Sequence, residues 1–146
     1  MKLFILYLFS IISLGLFAQI QNDISIPIGH LHYKTFGKGK PILIINGGPG
    51  MNSEGFASLA KELSKNNLAI IYDQRGTGAS KIDTISVETM TMELMLEDIE
   101  SLRKHLNLEK WTVLGHSFGG MLASYYTSKY PEKVTSLILS SSRVWI

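Results

Sequence analysis

The chain has 146 residues, a formal net charge of +2 and no cysteine. This length suits one domain with a proper hydrophobic core. The balanced charge gives no indication of nucleic acid or of a strongly acidic partner, and the lack of cysteine excludes disulfides and thiolate metal sites. We assign no metal and no cofactor to the chain.

The first 18 residues have the pattern of a secretory signal peptide. Lys2 is a minimal positive region, and an almost unbroken apolar stretch follows from Leu3 to Phe17. This stretch is shorter than the ~20 residues that span a bilayer. We predict cleavage after Ala18, with a second small-residue site at Ser13–Gly15. The alternative is an uncleaved segment that anchors the protein in the membrane.

Cleavage predicts export to the periplasm or the medium, with no stable membrane association once the segment is removed. N-terminal sequencing of the exported protein should then begin near Gln19, or near Leu16 if the second site is used. Recovery of intact Met1 on membrane-bound protein would contradict the prediction.

Alternating apolar residues mark the start of the folded domain. Ile24, Ile26 and Ile28 alternate with polar or small residues, and the alternation resumes at Leu31 after a glycine at position 29. A period of two around a glycine turn predicts an antiparallel hairpin.

Two continuous apolar runs, Pro41–Ile45 and Leu68–Tyr72, predict strands that are buried on both faces. Between them we predict a helix that begins at about Ser53 as N-cap. Its expected core residues are Phe56, Leu59, Ala60 and Leu63.

A longer helix is predicted from about Thr91 to Leu106. Apolar residues recur in it at spacings of three and four, at Met92, Met95, Ile99, Leu102 and Leu106. The opposite face carries glutamates, of which Glu100 is spaced for an i,i+4 ion pair with Lys104.

The apolar run Trp111–Leu114 leads into a G-x-S-x-G pattern at Gly115–Gly119, and a predicted helix, Phe118–Tyr130, follows. Strand, G-x-S-x-G and helix together are typical of the nucleophile elbow of α/β-hydrolases. The glycines are required where strand and helix pass closely. A final buried strand is predicted at Val134–Leu139.

Strands that alternate with helices predict a mostly parallel sheet with right-handed crossovers. In such a sheet the loops at the carboxyl ends of the strands form the active or binding site. The stretches that begin at Asn46, Asp73 and Ser117 all lie at those ends.

Three of these stretches match one family. Asn46–Gly50 resembles the His-Gly-Gly-Pro-Gly of the proline iminopeptidases, with Asn46 in place of the usual histidine. Asp73–Ser80 resembles their Asp-Gln-Arg-Gly-x-Gly-x-Ser, and Gly115–Gly120 is similar to their elbow. The resemblance covers about Ile42 to Leu139. It implies an α/β-hydrolase fold and a serine aminopeptidase that removes N-terminal residues from small peptides.

The resemblance also implies site roles. Ser117 is the nucleophile, and the backbone N–H groups of Gly48 and Phe118 form the oxyanion hole. The expected supporting residues of the loops and the elbow are Asn46, Gly47, Pro49, Asp73, Arg75, Gly115 and Gly119. Asp73 and Arg75 are expected to brace their loop, and the sharp turn at Gly48–Pro49 suggests a cis bond.

The catalytic triad of this fold runs Ser, acid, His along the chain. No histidine follows Ser117, and the only later acid is Glu132. We therefore expect residues 19–146 to be the N-terminal part of a hydrolase domain, truncated before the cap and the final strands and inactive alone. Val134–Leu139 would then lie at an exposed sheet edge.

Two other functions stay open. One is an esterase or lactonase on the same fold, and the other is a non-catalytic remnant. The downstream nucleotide sequence separates an enzyme from the remnant: an in-frame Asp and His favour the enzyme, whereas an immediate stop favours the remnant. The oligomeric state is left open.

Overall fold

The computed structural model describes residues 19–142. The predicted signal peptide, residues 1–18, lies outside this range. The strands are β1 (Gln19–Ile26), β2 (Gly29–Phe36), β3 (Lys40–Ile45), β4 (Asn67–Tyr72), β5 (Lys81–Ile82), β6 (Trp111–His116) and β7 (Val134–Ser140). The helices are α1 (Ala57–Leu63), α2 (Met92–His105) and α3 (Phe118–Lys129), with 3-10 turns at Glu54–Phe56 and Pro131–Lys133.

The strands form one sheet in the order β1-β2-β4-β3-β6-β7, and the short β5 pairs with β2. The neighbours β4, β3, β6 and β7 run parallel, whereas β1 and β2 form an antiparallel hairpin. This confirms the predicted mostly parallel sheet with an antiparallel hairpin at its start. The pairing of β5 with β2 was not predicted.

The hairpin has the register that the alternation predicts. Ile24 lies opposite Leu31 in the ladder, and Ile24, Ile26, Leu31 and Tyr33 are all buried. A shift of one residue would turn these side chains to the other face of the sheet.

The central strands are buried on both faces. Leu43, Ile70 and Val113 pack in one apolar cluster with buried side chains of α2 and α3. The alternate residues Ile44 and Ile71 pack on the opposite face, in a second cluster to which α1 contributes. The continuous apolar runs in the sequence follow from this two-sided burial.

Helix α1 begins later than predicted. Ser53 makes no side-chain cap, and a 3-10 turn at Glu54–Phe56 precedes the α-helix. The Ser53 hydroxyl instead donates to the Asp73 carboxylate. Ala60 is fully buried, but Leu59 is 38% exposed and does not belong to the core stripe.

Helix α2 has the predicted limits, with the Thr91 hydroxyl accepting from the Leu94 N–H as N-cap. The prediction for Glu100 was wrong, because its carboxylate is buried and accepts from Nε and Nη2 of Arg103 and from the Tyr126 hydroxyl. Burial raises the pKa of Glu100, but these hydrogen bonds outweigh it and hold the pKa below its usual value. Glu100 therefore links α2 to α3.

Strand β7 is the last strand of the sheet, and residues 135–140 are exposed along it. Leu137, Ile138 and Leu139 are between 36% and 45% exposed. The predicted exposed edge is present.

Within residues 19–142, no helix is long and apolar enough to cross a bilayer.

An open apolar edge templates association between chains. The purified chain of residues 19–146 is therefore expected to sediment as aggregates or oligomers, and Ile138→Lys should increase the monomer fraction. Sedimentation velocity measures this. Thr135→Lys on the same strand is the matched control and should help less, because Thr135 adds no large apolar surface. A wild-type monomer that melts cooperatively would contradict the prediction.

Candidate active site

The turn between β6 and α3 holds Ser117 in a strained conformation. Its φ is 52° and its ψ is −118°. Residues other than glycine rarely adopt this backbone conformation. Its N–H donates to the Ser140 carbonyl, and its own carbonyl accepts from the Gly120 N–H. The residue is exposed. The turn therefore presents the Ser117 hydroxyl beyond the end of the sheet.

Backbone crowding explains the two glycines that flank the serine. A Cβ added at Gly115 would lie 2.3 Å from the Gly119 carbonyl oxygen. One added at Gly119 would lie 2.2 Å from the Ile45 carbonyl oxygen. Both neighbours are backbone atoms and cannot rotate away, so the close passage of β3, β6 and α3 requires glycine here.

The loop after β3 reaches the serine. A Cβ at Gly47 would lie 2.9 Å from the Ser117 Cβ, so this backbone approaches Ser117 directly. As the first residue of α3, Phe118 has an N–H that no carbonyl of the helix can accept. Gly48 and Ser117 line the same cleft.

The predicted cis bond at Gly48–Pro49 was wrong, since the described bonds include no cis peptide. Gly48 and Gly50 reverse the chain instead, with φ of 69° and 91°. Glycine adopts such angles without a Cβ penalty. The Met51 N–H closes the turn on the Gly48 carbonyl at 3.1 Å.

Asn46 clamps both ends of this turn. Its Nδ2 donates to the Gly47 carbonyl at 3.1 Å and to the Met51 carbonyl at 3.0 Å. Gln74 Nε2 donates to the Asn46 carbonyl at 3.0 Å. This role of Gln74 was not predicted, although the residue lies inside the second motif. One side-chain amide from each motif thus fixes the backbone beside Ser117.

Asp73 is buried beneath the same loops. Its Oδ1 accepts from the N–H and the hydroxyl of Ser53, at 2.8 and 2.7 Å. Its Oδ2 accepts from the Ala79 N–H at 2.8 Å. These bonds join the stretch after β3 to the stretch after β4.

The Arg75 side chain reaches α2. Its Nε and Nη2 donate to the two oxygens of Asp98, at 2.8 and 2.7 Å. Nη1 and Nη2 also donate to the carbonyls of Thr89 and Leu94. Burial raises the pKa of Asp98, and the bonds from Arg75 oppose that shift. The pairing of Asp98 with Arg75 was not predicted. The position of Asp98 on the same helix face as Met95 and Leu102 was a signal that this acid is buried.

The ring nitrogens of the four histidines contact groups other than Ser117. His116 is closest to the nucleophile in sequence, and its Nδ1 lies 3.3 Å from the Ser140 hydroxyl. The ring nitrogens of the other three contact the Ala79 carbonyl, the Asp23 carboxylate and the Tyr33 hydroxyl, from His30, His32 and His105 respectively. None of these four contacts involves Ser117. Within residues 19–142, no cluster of three or more His, Asp or Glu side chains could hold a metal ion.

A cleft of about 280 Å³ opens beside Ser117. It is lined by residues 46–48, 51–52, 55–56 and 116–117. The Phe56 and His116 rings lie against each other, with centroids 5.5 Å apart. A small organic group can therefore lie next to the hydroxyl and the glycine backbone.

The fold and the site together define an α/β protein with a serine on a strand–turn–helix elbow, the arrangement of the α/β-hydrolases. A family profile described as alpha/beta hydrolase fold matches residues 40–145. The chain belongs to this family.

The chain is also similar in sequence to proline iminopeptidases. The chain is 43% identical over 104 residues to a proline iminopeptidase of Lactobacillus helveticus, covering 70% of this chain and 35% of that protein. The chain therefore spans about a third of the length of this relative.

Solved structures give the same fold. A proline iminopeptidase-related protein from Thermus thermophilus superposes with a TM-score of 0.80 at 22% identity, covering 87% of this chain and 46% of that one. An esterase from a marine microorganism has a TM-score of 0.68 at 33% identity, covering 75% of this chain and 40% of its own.

Proposed function

We propose that the chain is the nucleophile-bearing part of an exported serine aminopeptidase that removes N-terminal residues from small peptides. The observation that carries the proposal is the strained Ser117, with φ of 52°, beside the glycine backbone of the loop after β3. The similarity to a proline iminopeptidase supports the substrate class.

In the proposed reaction, the Ser117 oxygen bonds to the amide carbonyl carbon while its proton passes to a base. The N–H groups of Gly48 and Phe118 stabilise the negative oxygen that forms. The C–N bond then breaks, the amine leaves with the proton, and water hydrolyses the ester. Asn46, Gly47 and Pro49 shape the oxyanion loop. We propose that the base and its acid come from residues outside 19–142.

The other residues support this geometry. Gly115 and Gly119 allow the elbow to form, Asp73 joins the two loops, and Arg75 ties the second loop to α2. Residues 1–18 support export, because they have the signal-peptide pattern.

The test uses the full-length gene product and a proline arylamide. We expect release of the arylamine, complete loss in Ser117→Ala, and a fluorophosphonate adduct on Ser117 by mass spectrometry. Residues 19–146 alone should show no turnover, since serine without a base is a poor nucleophile. Arylamide turnover that survives in Ser117→Ala would overturn the proposal.

An esterase is the second candidate, favoured by the 33% identity to the marine esterase. In the same assay, Ser117-dependent cleavage of p-nitrophenyl esters without arylamide cleavage would select it. Absence of both activities and of the adduct in the full-length protein would select a non-catalytic remnant.

A further inference from the structure

Met51 is the most exposed methionine among residues 19–142. It is 64% exposed, against 37% for Met121 and 6% for Met95, and Met90 and Met92 are half-buried. Peroxides convert accessible thioethers to sulfoxides, which are polar and chiral. Of the methionines that the structure describes, Met51 therefore has the side chain most open to oxidation.

The Met51 thioether lies against Gly48. A Cβ added at Gly48 would lie 2.9 Å from the Met51 Sδ and 3.1 Å from its Cγ. The sulfur thus covers the side of Gly48 from which a side chain would project. A thioether is soft and adapts to such a backbone surface, whereas a sulfoxide brings a strongly polar oxygen against it.

The Met51 backbone is held on both sides of this contact. Its N–H donates to the Gly48 carbonyl at 3.1 Å, and its carbonyl accepts from Asn46 Nδ2 at 3.0 Å. Because the backbone is held, an oxygen added to the sulfur displaces either Gly48 or the Met51 side chain. The first moves the Gly48 N–H, and the second removes the packing against Gly48.

We propose that Met51 is a site of reversible oxidation, at which a peroxide displaces the loop after β3 and thereby slows acylation of Ser117. The sulfur gives an electron pair to one peroxide oxygen, so that an S–O bond forms and the O–O bond breaks. The proton of the transferred oxygen passes to the departing hydroxide, which leaves as water. The sulfur is oxidised by two electrons, and methionine sulfoxide reductases restore the thioether.

The first test locates the oxidation. The full-length protein is treated with hydrogen peroxide, and its peptides are followed over time by mass spectrometry for the gain of one oxygen. We expect Met51 to be oxidised several-fold faster than Met121, and the buried Met95 to be oxidised last. Oxidation of Met51 that is no faster than that of Met121 would overturn the proposal.

The second test measures the effect on the serine, and this part rests on the proposed function. Peroxide should slow fluorophosphonate labelling of Ser117 by about tenfold, since displacing one oxyanion donor costs less than losing it. Treatment with methionine sulfoxide reductases A and B should restore the rate. Met51→Leu, compared with itself before and after peroxide, should lose this sensitivity, whereas the matched variant Met121→Leu should keep it. An unchanged melting temperature shows that each protein is folded.

A third measurement does not depend on activity. In a ¹⁵N-glycine spectrum, the Gly48 amide signal should shift when the wild-type protein is oxidised, and should stay in place when Met51→Leu is treated. Unchanged labelling with Met51 fully oxidised, equal slowing in Met51→Leu, or a Gly48 signal that does not move would overturn the proposal. Failure of the proposed function is seen separately, as Ser117 that is not labelled even before peroxide is added.

Discussion

Replacing Arg75 by methionine is expected to lower the free energy of unfolding by about 3–5 kcal/mol. Arg75 and Asp98 are only 2% and 3% exposed and form a two-point ion pair. Removal of the guanidinium leaves a buried carboxylate without a counter-charge. It also leaves the carbonyls of Thr89 and Leu94 without these donors. Urea unfolding followed by tryptophan fluorescence measures the loss.

Two controls identify the cause. The double variant Arg75→Met with Asp98→Leu should recover most of the stability, because an apolar pair of similar volume is often neutral or stabilising. Lys65→Met breaks an exposed pair with Glu62 and should change the stability by at most about 1 kcal/mol. A loss below about 1 kcal/mol in Arg75→Met would mean that the buried pair does not stabilise the fold.

Gly119→Ala is expected to slow acylation of Ser117 by about 10²–10³ in the full-length protein. The added methyl would lie 2.2 Å from the Ile45 carbonyl oxygen and 2.5 Å from that of Asn46. The start of α3 must move away, and the Phe118 N–H moves with it. The rate of labelling of Ser117 by a fluorophosphonate measures the effect without any peptide substrate.

Overpacking also costs about 1–3 kcal/mol of stability, so the rate is compared at a temperature at which the variant is fully folded. Ser128→Ala, at an exposed position of the same helix, is the matched control and should label at the wild-type rate. A folded Gly119→Ala protein that labels normally would show that the position of the helix start does not limit acylation.

Features that depend on a few adjacent residues could be predicted from the sequence. The run Pro41–Ile45 predicted a strand that the structure has at Lys40–Ile45, and the helix expected at 91–106 spans Met92–His105. The elbow was predictable for the same reason. The strain at Ser117 and the crowding at Gly115 arise within the elbow and the helix that follows it, whereas the crowding at Gly119 comes from the Ile45 carbonyl of β3.

Features that depend on distant partners could not be predicted in this way. Glu100 has the correct spacing for Lys104, but it is buried against α3, where it accepts from the Tyr126 hydroxyl as well as from Arg103 of its own helix. Ser53 is a residue type that often forms an N-cap, but it makes no side-chain cap here and its hydroxyl donates to the Asp73 carboxylate. In both cases a partner at least 20 residues away in the chain, Tyr126 or Asp73, is buried with the side chain, and a local spacing rule does not indicate it.

The sequence by itself determined the order of the longer strands and of the helices, the elbow and the glycine loop, because hydrophobic period and backbone sterics act over a few residues. Only the tertiary structure decided that Arg75 pairs with Asp98 and that Gln74 holds Asn46, across 23 and 28 residues of chain. Such pairs form where burial removes water from charged and polar groups, and the packing of whole elements selects which groups are buried together.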